Sequence, residues 1–300
     1  MWLEWQPALV LALALAAFAW AVTRSPRRLW NTAGAFSGEA ALVFVLYAVW
    51  RLAGRIAITQ TTRAHEMGRR IWELEQRLHL PSEVSFQRLF LPHPDVMRVL
   101  NAYYAVVHVP ALIAFLVWLF ARYRDRYPPV RNVIAISTGL CLAIQLVPVA
   151  PPRMFPELGF VDAAHVYGLS VYDRLGSNGA DQLSAMPSVH VAWAVAIGIA
   201  VVLVSSSRWR WLFLAHPVLT VVVVTATANH WWLDGVVGVA TLVLAAALDR
   251  SARWALRSAR THPRRRRREA GIGPLSLDDR APITVSGPAG ADVTQPADAT

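Results

Sequence analysis

Seven stretches of the chain are apolar and long enough to be read as membrane spans: 5–22, 38–54, 102–121, 131–149, 188–206, 210–228 and 232–249. Crossing the hydrocarbon of a bilayer takes about 20 mostly apolar residues in a helix. The first stretch lacks a basic start and runs into arginines rather than a clean cleavage site, so it reads as a retained span and not a signal peptide. Between the second and third, the pattern changes. Ala64, Met67, Ile71, Leu74 and Leu78 recur at helical spacing among charged residues, which predicts an amphipathic helix. It either lies on the membrane surface or packs over the mouth of the bundle. From about 269 onward few large apolar residues remain, too few to bury a core, which predicts a disordered tail. The expected fold class is therefore all-α: an integral membrane helical bundle of about seven spans over residues 1–250, followed by a basic and then disordered segment, 251–300.

Composition supports this class and charge placement orients it. The chain is 55% hydrophobic and 16% charged, against roughly 25% charged in soluble domains. Its net charge of +10 comes wholly from arginine. Clusters at Arg24, Arg27 and Arg28, at Arg122, Arg124, Arg126 and Arg131, at Arg208 and Arg210, and from Arg250 to the run Arg264–Arg268 all fall on one side of a seven-span chain. The positive-inside rule makes that side cytoplasmic. The amino terminus and the loops 55–101, 150–187 and 229–231 are then extracytoplasmic in the cell membrane. The loop 55–101 carries Arg63, Arg69, Arg70, Arg77 and Arg88, but also Glu66, Glu73, Glu75 and Glu83, so its charge is closer to neutral. The basic run before the tail suits anionic membrane lipids, and no nucleic-acid motif competes with that use. Cys141, alone of its kind, excludes an intrachain disulfide and a cysteine metal cluster.

Three polar stretches meet at the extracytoplasmic ends of the spans: APPRMFPELGF (150–160), SAMPSVH (184–190) and NHWWLD (229–234). His230 and Asp234, four residues apart, share one helical face. Either the carboxylate accepts the imidazole Nδ1–H and leaves Nε2 as a nucleophile or base, or the pair caps a helix. His190 follows Pro187 and Ser188 at a predicted helix start. It is either a core histidine or a proton donor beside a phosphate held at that start. Arg153, after two prolines, is either an interfacial anchor or an anion clamp; Arg174 is a second candidate in the same loop. Together these residues supply a nucleophile, an orienting group, a general acid and a phosphate clamp. Neither histidine pair has the helical His–His spacing of common zinc motifs, so no metal and no cofactor is expected.

Pro187-Ser188-Val189-His190 followed by His230-Trp231-Trp232-Leu233-Asp234 resembles the paired elements of the type 2 phosphatidic acid phosphatase superfamily. The resemblance covers roughly residues 100–250. It implies a six-helix core, here with an extra N-terminal span, and metal-independent phosphoryl transfer through a phosphohistidine. It assigns His230 as nucleophile, Asp234 as its orienter and His190 as the acid for the leaving group. Four positions depart from the usual pattern: Val189 replaces a glycine, Val224 stands in place of an arginine, and Leu146 and Met154 occupy the lysine and proline places of a further element. Arg153 is the best replacement for the missing clamp, with Ser188 and Arg174 as further phosphate contacts. The Pro-Pro-Arg stretch and the stretch from Gly159 to Asp162 look like the branch containing inositol phosphorylceramide synthases. The expected activity is that of a lipid-phosphate phosphatase. The alternative is a phosphotransferase that moves a phospho-head group to an alcohol such as inositol or a lipid hydroxyl.

Overall fold

A computed structural model describes residues 3–22, 28–168 and 183–269. Most of them are helical, and among them there is no strand beyond an isolated parallel bridge between Val149 and Ser184. The chain divides into two units, Met1–Ser251 and Ala252–Thr300. The second is described only as far as Glu269, and only as the continuation of a helix. The expected disordered tail and Arg174 both lie outside the described residues.

Each expected span falls on helix. Trp5–Val22 (α1) packs along Arg28–Ile58 (α2), and α2 meets Tyr127–Ile144 (α7). Val189–Val204 (α9) packs against α7 and against Ala215–Ala226 (α10). The last helix, Trp232–Glu269 (α11), begins at the NHWWLD stretch. Among the described residues, four helical stretches are long and apolar enough to cross a membrane, or five if a bent pair forms one span. The fifth expected span is apolar but gives a helix of only 16 residues, α9, while the fourth, α7, opens on Tyr127 and two prolines and carries Arg131 and Asn132.

The third expected span, 102–121, is two helices. Pro94–Val106 (α5) and His108–Arg122 (α6) meet at a 50° bend. Pro110 accounts for it, since a proline ring clashes with the carbonyl four residues back, here that of Val106, the last residue of α5. The bend places His108 at the first position of α6 and turns it inward, where it is buried.

Between the helices the core is apolar with a few polar fasteners. Phe115, Leu119, Ile134, Ile197, Val201 and Leu242 form one buried cluster. Ser137 and Cys141 of α7 both reach Thr241 of α11, at 3.1 and 3.3 Å, and the Trp193 indole N–H donates to Thr138 at 2.8 Å. Away from water such bonds have no competing solvent, so they fix register between helices.

The amphipathic helix predicted after α2 is Thr61–Arg77 (α3), and it covers the mouth of the bundle. Its inner face, however, is Ala64, Gly68, Ile71 and Glu75, all buried, while Leu74 and Leu78 are exposed. Close approach explains the difference. A side chain at Gly68 would meet the Ala150 carbonyl at 2.7 Å and the Phe155 ring at 2.8 Å, so this face seats backbone to backbone. A second such contact joins the two helices that carry the candidate histidines. A Cβ at Gly238 of α11 would come within 2.5 Å of the Ser188 carbonyl. Because both contacting parts are backbone, Gly238→Ala is expected to lower stability by about 1–3 kcal/mol and to reduce turnover as the two helix starts separate. Thermal unfolding in detergent checks the first effect and an activity assay the second.

Candidate active site

The site lies at one end of the helices, where the three polar stretches converge. Two backbone bonds join Val149 to the chain ahead of α9: Val149 N–H donates to Leu183 O at 2.8 Å and Ala185 N–H donates to Val149 O at 3.1 Å. Gln145, at the end of α7, donates to the Pro187 carbonyl at 3.3 Å. Ser188 then caps α9: its Oγ is buried and accepts the Val191 N–H at 3.4 Å. Its own N–H donates to the Asp234 carbonyl at 2.9 Å, a direct tie between the start of α9 and the first turn of α11. The cap is the role a serine at a helix start ordinarily takes, and it uses the oxygen only as an acceptor, leaving the hydroxyl hydrogen to donate.

His230 and Asp234 are brought together and both are buried, but not on one helical face: α11 starts at Trp232, and His230 lies in the bend before it. His230 Nδ1 lies 3.3 Å from Asp234 Oδ2 and 2.8 Å from the Ala185 carbonyl. Both neighbours only accept, so Nδ1 carries the hydrogen and Nε2 keeps its lone pair. The shorter bond is the one to a backbone carbonyl, which no side-chain pattern could reveal. Asp234 Oδ2 also accepts the Trp231 N–H at 2.9 Å, so the carboxylate orients the ring from a fixed position. His190 closes the arrangement: its Nδ1 lies 3.3 Å from His230 Nε2. With Nε2 as acceptor, His190 Nδ1 is the donor. A proton donor and an imidazole lone pair thus face each other.

Arg153 sits behind His230. Its side chain is buried; Nη1 donates to Asn229 Oδ1 at 2.7 Å, and Nε lies 3.8 Å from Asp162 Oδ2. The residue is anchored at its backbone too, where its N–H donates to the Ala228 carbonyl at 2.9 Å. Ala228 holds a positive φ of 53°, a conformation an alanine adopts only when its surroundings impose it. The strain falls two residues before His230. The stretch from Gly159 to Asp162 supports the same corner. Gly159, at φ 92°, ends a short turn, the Phe160 ring meets Trp231 edge-on at 5.6 Å, and Asp162 caps Ala163–Tyr167 (α8) as well as facing Arg153.

Several residues join the site that periodicity and motif spacing did not single out. His108 is buried, its ring 4.6 Å from that of His190, and among the described residues no hydrogen-bond partner reaches its Nε2. Tyr104 lies 4.8 Å from the His190 ring and 6.4 Å from that of His230. Beyond His108, His216 accepts or donates a bond with the Tyr103 hydroxyl at 2.8 Å. The result is a row of imidazoles, His230–His190–His108, walled by tyrosines. Among the described residues no three or more His, Cys, Asp or Glu are arranged to hold a metal ion. Glu75 and Glu83 also reach the first turn of α11, where they accept the N–H groups of Leu233 and Trp232.

A family model described as the PAP2 superfamily matches residues 69–248, more than half of the chain. The match opens well before residue 100 and so takes in the second half of α3 together with Glu83–Arg88 (α4). No curated protein and no solved structure matches the chain.

Proposed function

Because the chain belongs to the PAP2 superfamily, whose members are phosphoesterases or phosphotransferases, we propose that it is a membrane lipid-phosphate phosphatase working through a phosphohistidine at His230. The observation that carries this reading is the state of His230: Nδ1–H is held by two acceptors, and Nε2 faces the His190 Nδ1 proton at 3.3 Å. In the first step His230 Nε2 attacks phosphorus, the bond from phosphorus to the leaving oxygen breaks, and His190 gives its proton to that oxygen. In the second, His190 takes a proton from water, the water oxygen bonds to phosphorus, the P–N bond breaks and inorganic phosphate leaves. Asp234 and the Ala185 carbonyl stabilise the imidazolium character that His230 gains. In this reading Arg153 and the amides at the start of α9 hold the phosphoryl oxygens. Donors fixed in advance at such positions are typically worth about 3–4 kcal/mol each in the transition state.

Two features support a lipid as the source of the phosphate. The site sits at a helix end, the depth at which head groups lie. Val106, Val109, Ile113 and Val117 are exposed along the bent pair that carries His108, giving an apolar flank by which tails can approach laterally. The arginine clusters at Arg122–Arg131 and Arg208–Arg210 lie at the other ends of the same helices, so the positive-inside rule puts the site on the extracytoplasmic face. The attacking group in the second step is water in this reading; an alcohol in the same place makes the enzyme a transferase.

Purified protein in detergent, given a panel of lipid phosphates, should release inorganic phosphate at the same rate with and without EDTA. Loss of release in EDTA overturns the metal-independent route. A new phosphodiester formed with added inositol or glycerol, in place of free phosphate, moves the assignment to transfer.

A further inference from the structure

The inner face of α3 and the short helix α4 carry two carboxyl groups that the steps above do not use. Glu75 is fully buried and Glu83 is 2% exposed. Each accepts an amide proton from the first turn of α11: Glu75 Oε1 from Leu233 at 2.8 Å, and Glu83 Oε1 from Trp232 at 3.2 Å. The preceding amide, of Trp231, is taken by Asp234 Oδ2. Three successive N–H groups thus serve three of the protein's own carboxyls, and this helix start is closed to a phosphate. Glu75 Oε2 is buried, and among the described residues no donor reaches it. The two buried carboxyls accept from neighbouring amides, so they stand side by side. Two carboxyls so placed do not both ionise readily, and a proton held between them removes the repulsion.

We propose that Glu75 and Glu83 are positioning residues for the His230–Asp234 pair, bridged by one shared proton that fixes the first turn of α11 and so the aim of Asp234 on His230. The bridge gives the orphaned oxygen its partner and leaves one negative charge at a helix N-terminus, where the helix dipole favours it. Burial and then Glu83 push Glu75 up to about 9; Asp234 of α11 adds to the rise, and the Leu233 amide opposes it. At neutral pH the proton is therefore in place. The folded chain keeps a proton that the unfolded chain releases from about 4.5 upward. Stability consequently falls as pH rises through that window, and the last of this contribution is lost as pH passes about 9. Arginine salt bridges on α3, such as Arg69 to Glu157, are on its exposed side and do not compensate.

The activity readout of this proposal rests on the phosphohistidine reading; its stability readout does not. The test compares full-length wild type, Glu75→Ala and Glu75→Gln in detergent from about pH 6 to about 10. Glu75→Ala leaves the Leu233 amide without its acceptor and should lower kcat by about 10–100-fold with little change in KM, the size expected when a reacting group is displaced by a fraction of an ångström to one. Glu75→Gln, whose amide donates to Glu83 with no proton to lose, should recover most of that kcat relative to Glu75→Ala. It should also flatten the fall in melting temperature that wild type shows up to about 9. An unchanged slope in Glu75→Gln overturns the shared proton. A Glu75→Ala variant that melts lower but keeps its kcat overturns the positioning role. Should wild type neither release phosphate nor form a phosphodiester with an added alcohol, the phosphohistidine reading fails, and the melting comparison still decides the proton.

Discussion

Replacing His230 with alanine should abolish phosphate release, with a loss of at least about 10⁴-fold in kcat. The size follows from chemistry rather than from packing. In a covalent route the nucleophile is a reactant, and water has no lone pair held in the same place by two acceptors and faced by a proton donor. The substitution also strips Asp234 Oδ2 and the Ala185 carbonyl of the ring N–H between them, so loss of fold must be separated from loss of reaction. Melting temperature and elution profile in detergent give the first control. Added imidazole gives the second: the truncated side chain leaves a ring-sized space between the Ala185 carbonyl and His190, and a free imidazole bound there restores an Nε2-like nitrogen. Turnover that stays within about tenfold of wild type in a folded His230→Ala protein removes His230 as nucleophile. Concentration-dependent rescue by imidazole fixes it there.

The second large effect is conditional on the substrate. His190→Ala should slow hydrolysis of an alkyl phosphate by about 10²–10⁴-fold, the usual worth of a general acid. With an aryl phosphate whose phenolate leaves unaided, the same variant should lose far less. The contrast follows from the leaving groups, since an alkoxide needs a proton as it departs and a stabilised phenolate does not. His190 Nδ1, 3.3 Å from His230 Nε2, is the donor this reading assigns to that step. Removing it leaves His230 and its orientation intact, since His230 Nδ1 is held from the other side by Ala185 and Asp234. Equal losses on the two substrates would assign His190 to phosphate binding and leave proton transfer to another group.

Much of this was legible in the chain. The apolar runs placed the helices, and the Pro187–His190 and His230–Asp234 elements marked the side chains that meet, although His230 reaches Asp234 from the bend before α11 and not from the helix itself. What stayed hidden has physical reasons. The bend before His108 follows from Pro110, yet an apolar stretch of the right length reads as one span whether or not a proline interrupts it. His108 itself looked like any histidine in an apolar run until the bend turned it inward. On α3 the water-based logic of amphipathicity misled: Leu74 and Leu78 lie exposed, while Glu75 lies buried on an amide. An apolar side chain beside a membrane need not seek the protein core, and a carboxyl with a proton to share need not seek water. Ser188 also caps α9, a second use of its hydroxyl that the sequence pattern alone did not separate from a phosphate contact.

The partners of Trp232 and Leu233 lie 149 and 158 residues earlier in the chain, and that distance has a meaning for biosynthesis. Translation delivers Glu75 and Glu83 first, His190 midway and the first turn of α11 last among them. Until the final helix enters the bundle, the two carboxyls have no amides to accept from and His190 has no lone pair to face. Contacts of such long separation close late in folding. A nascent chain halted before Asp234 therefore carries no reactive centre, and the onset of turnover marks the moment the whole bundle has been threaded through the bilayer.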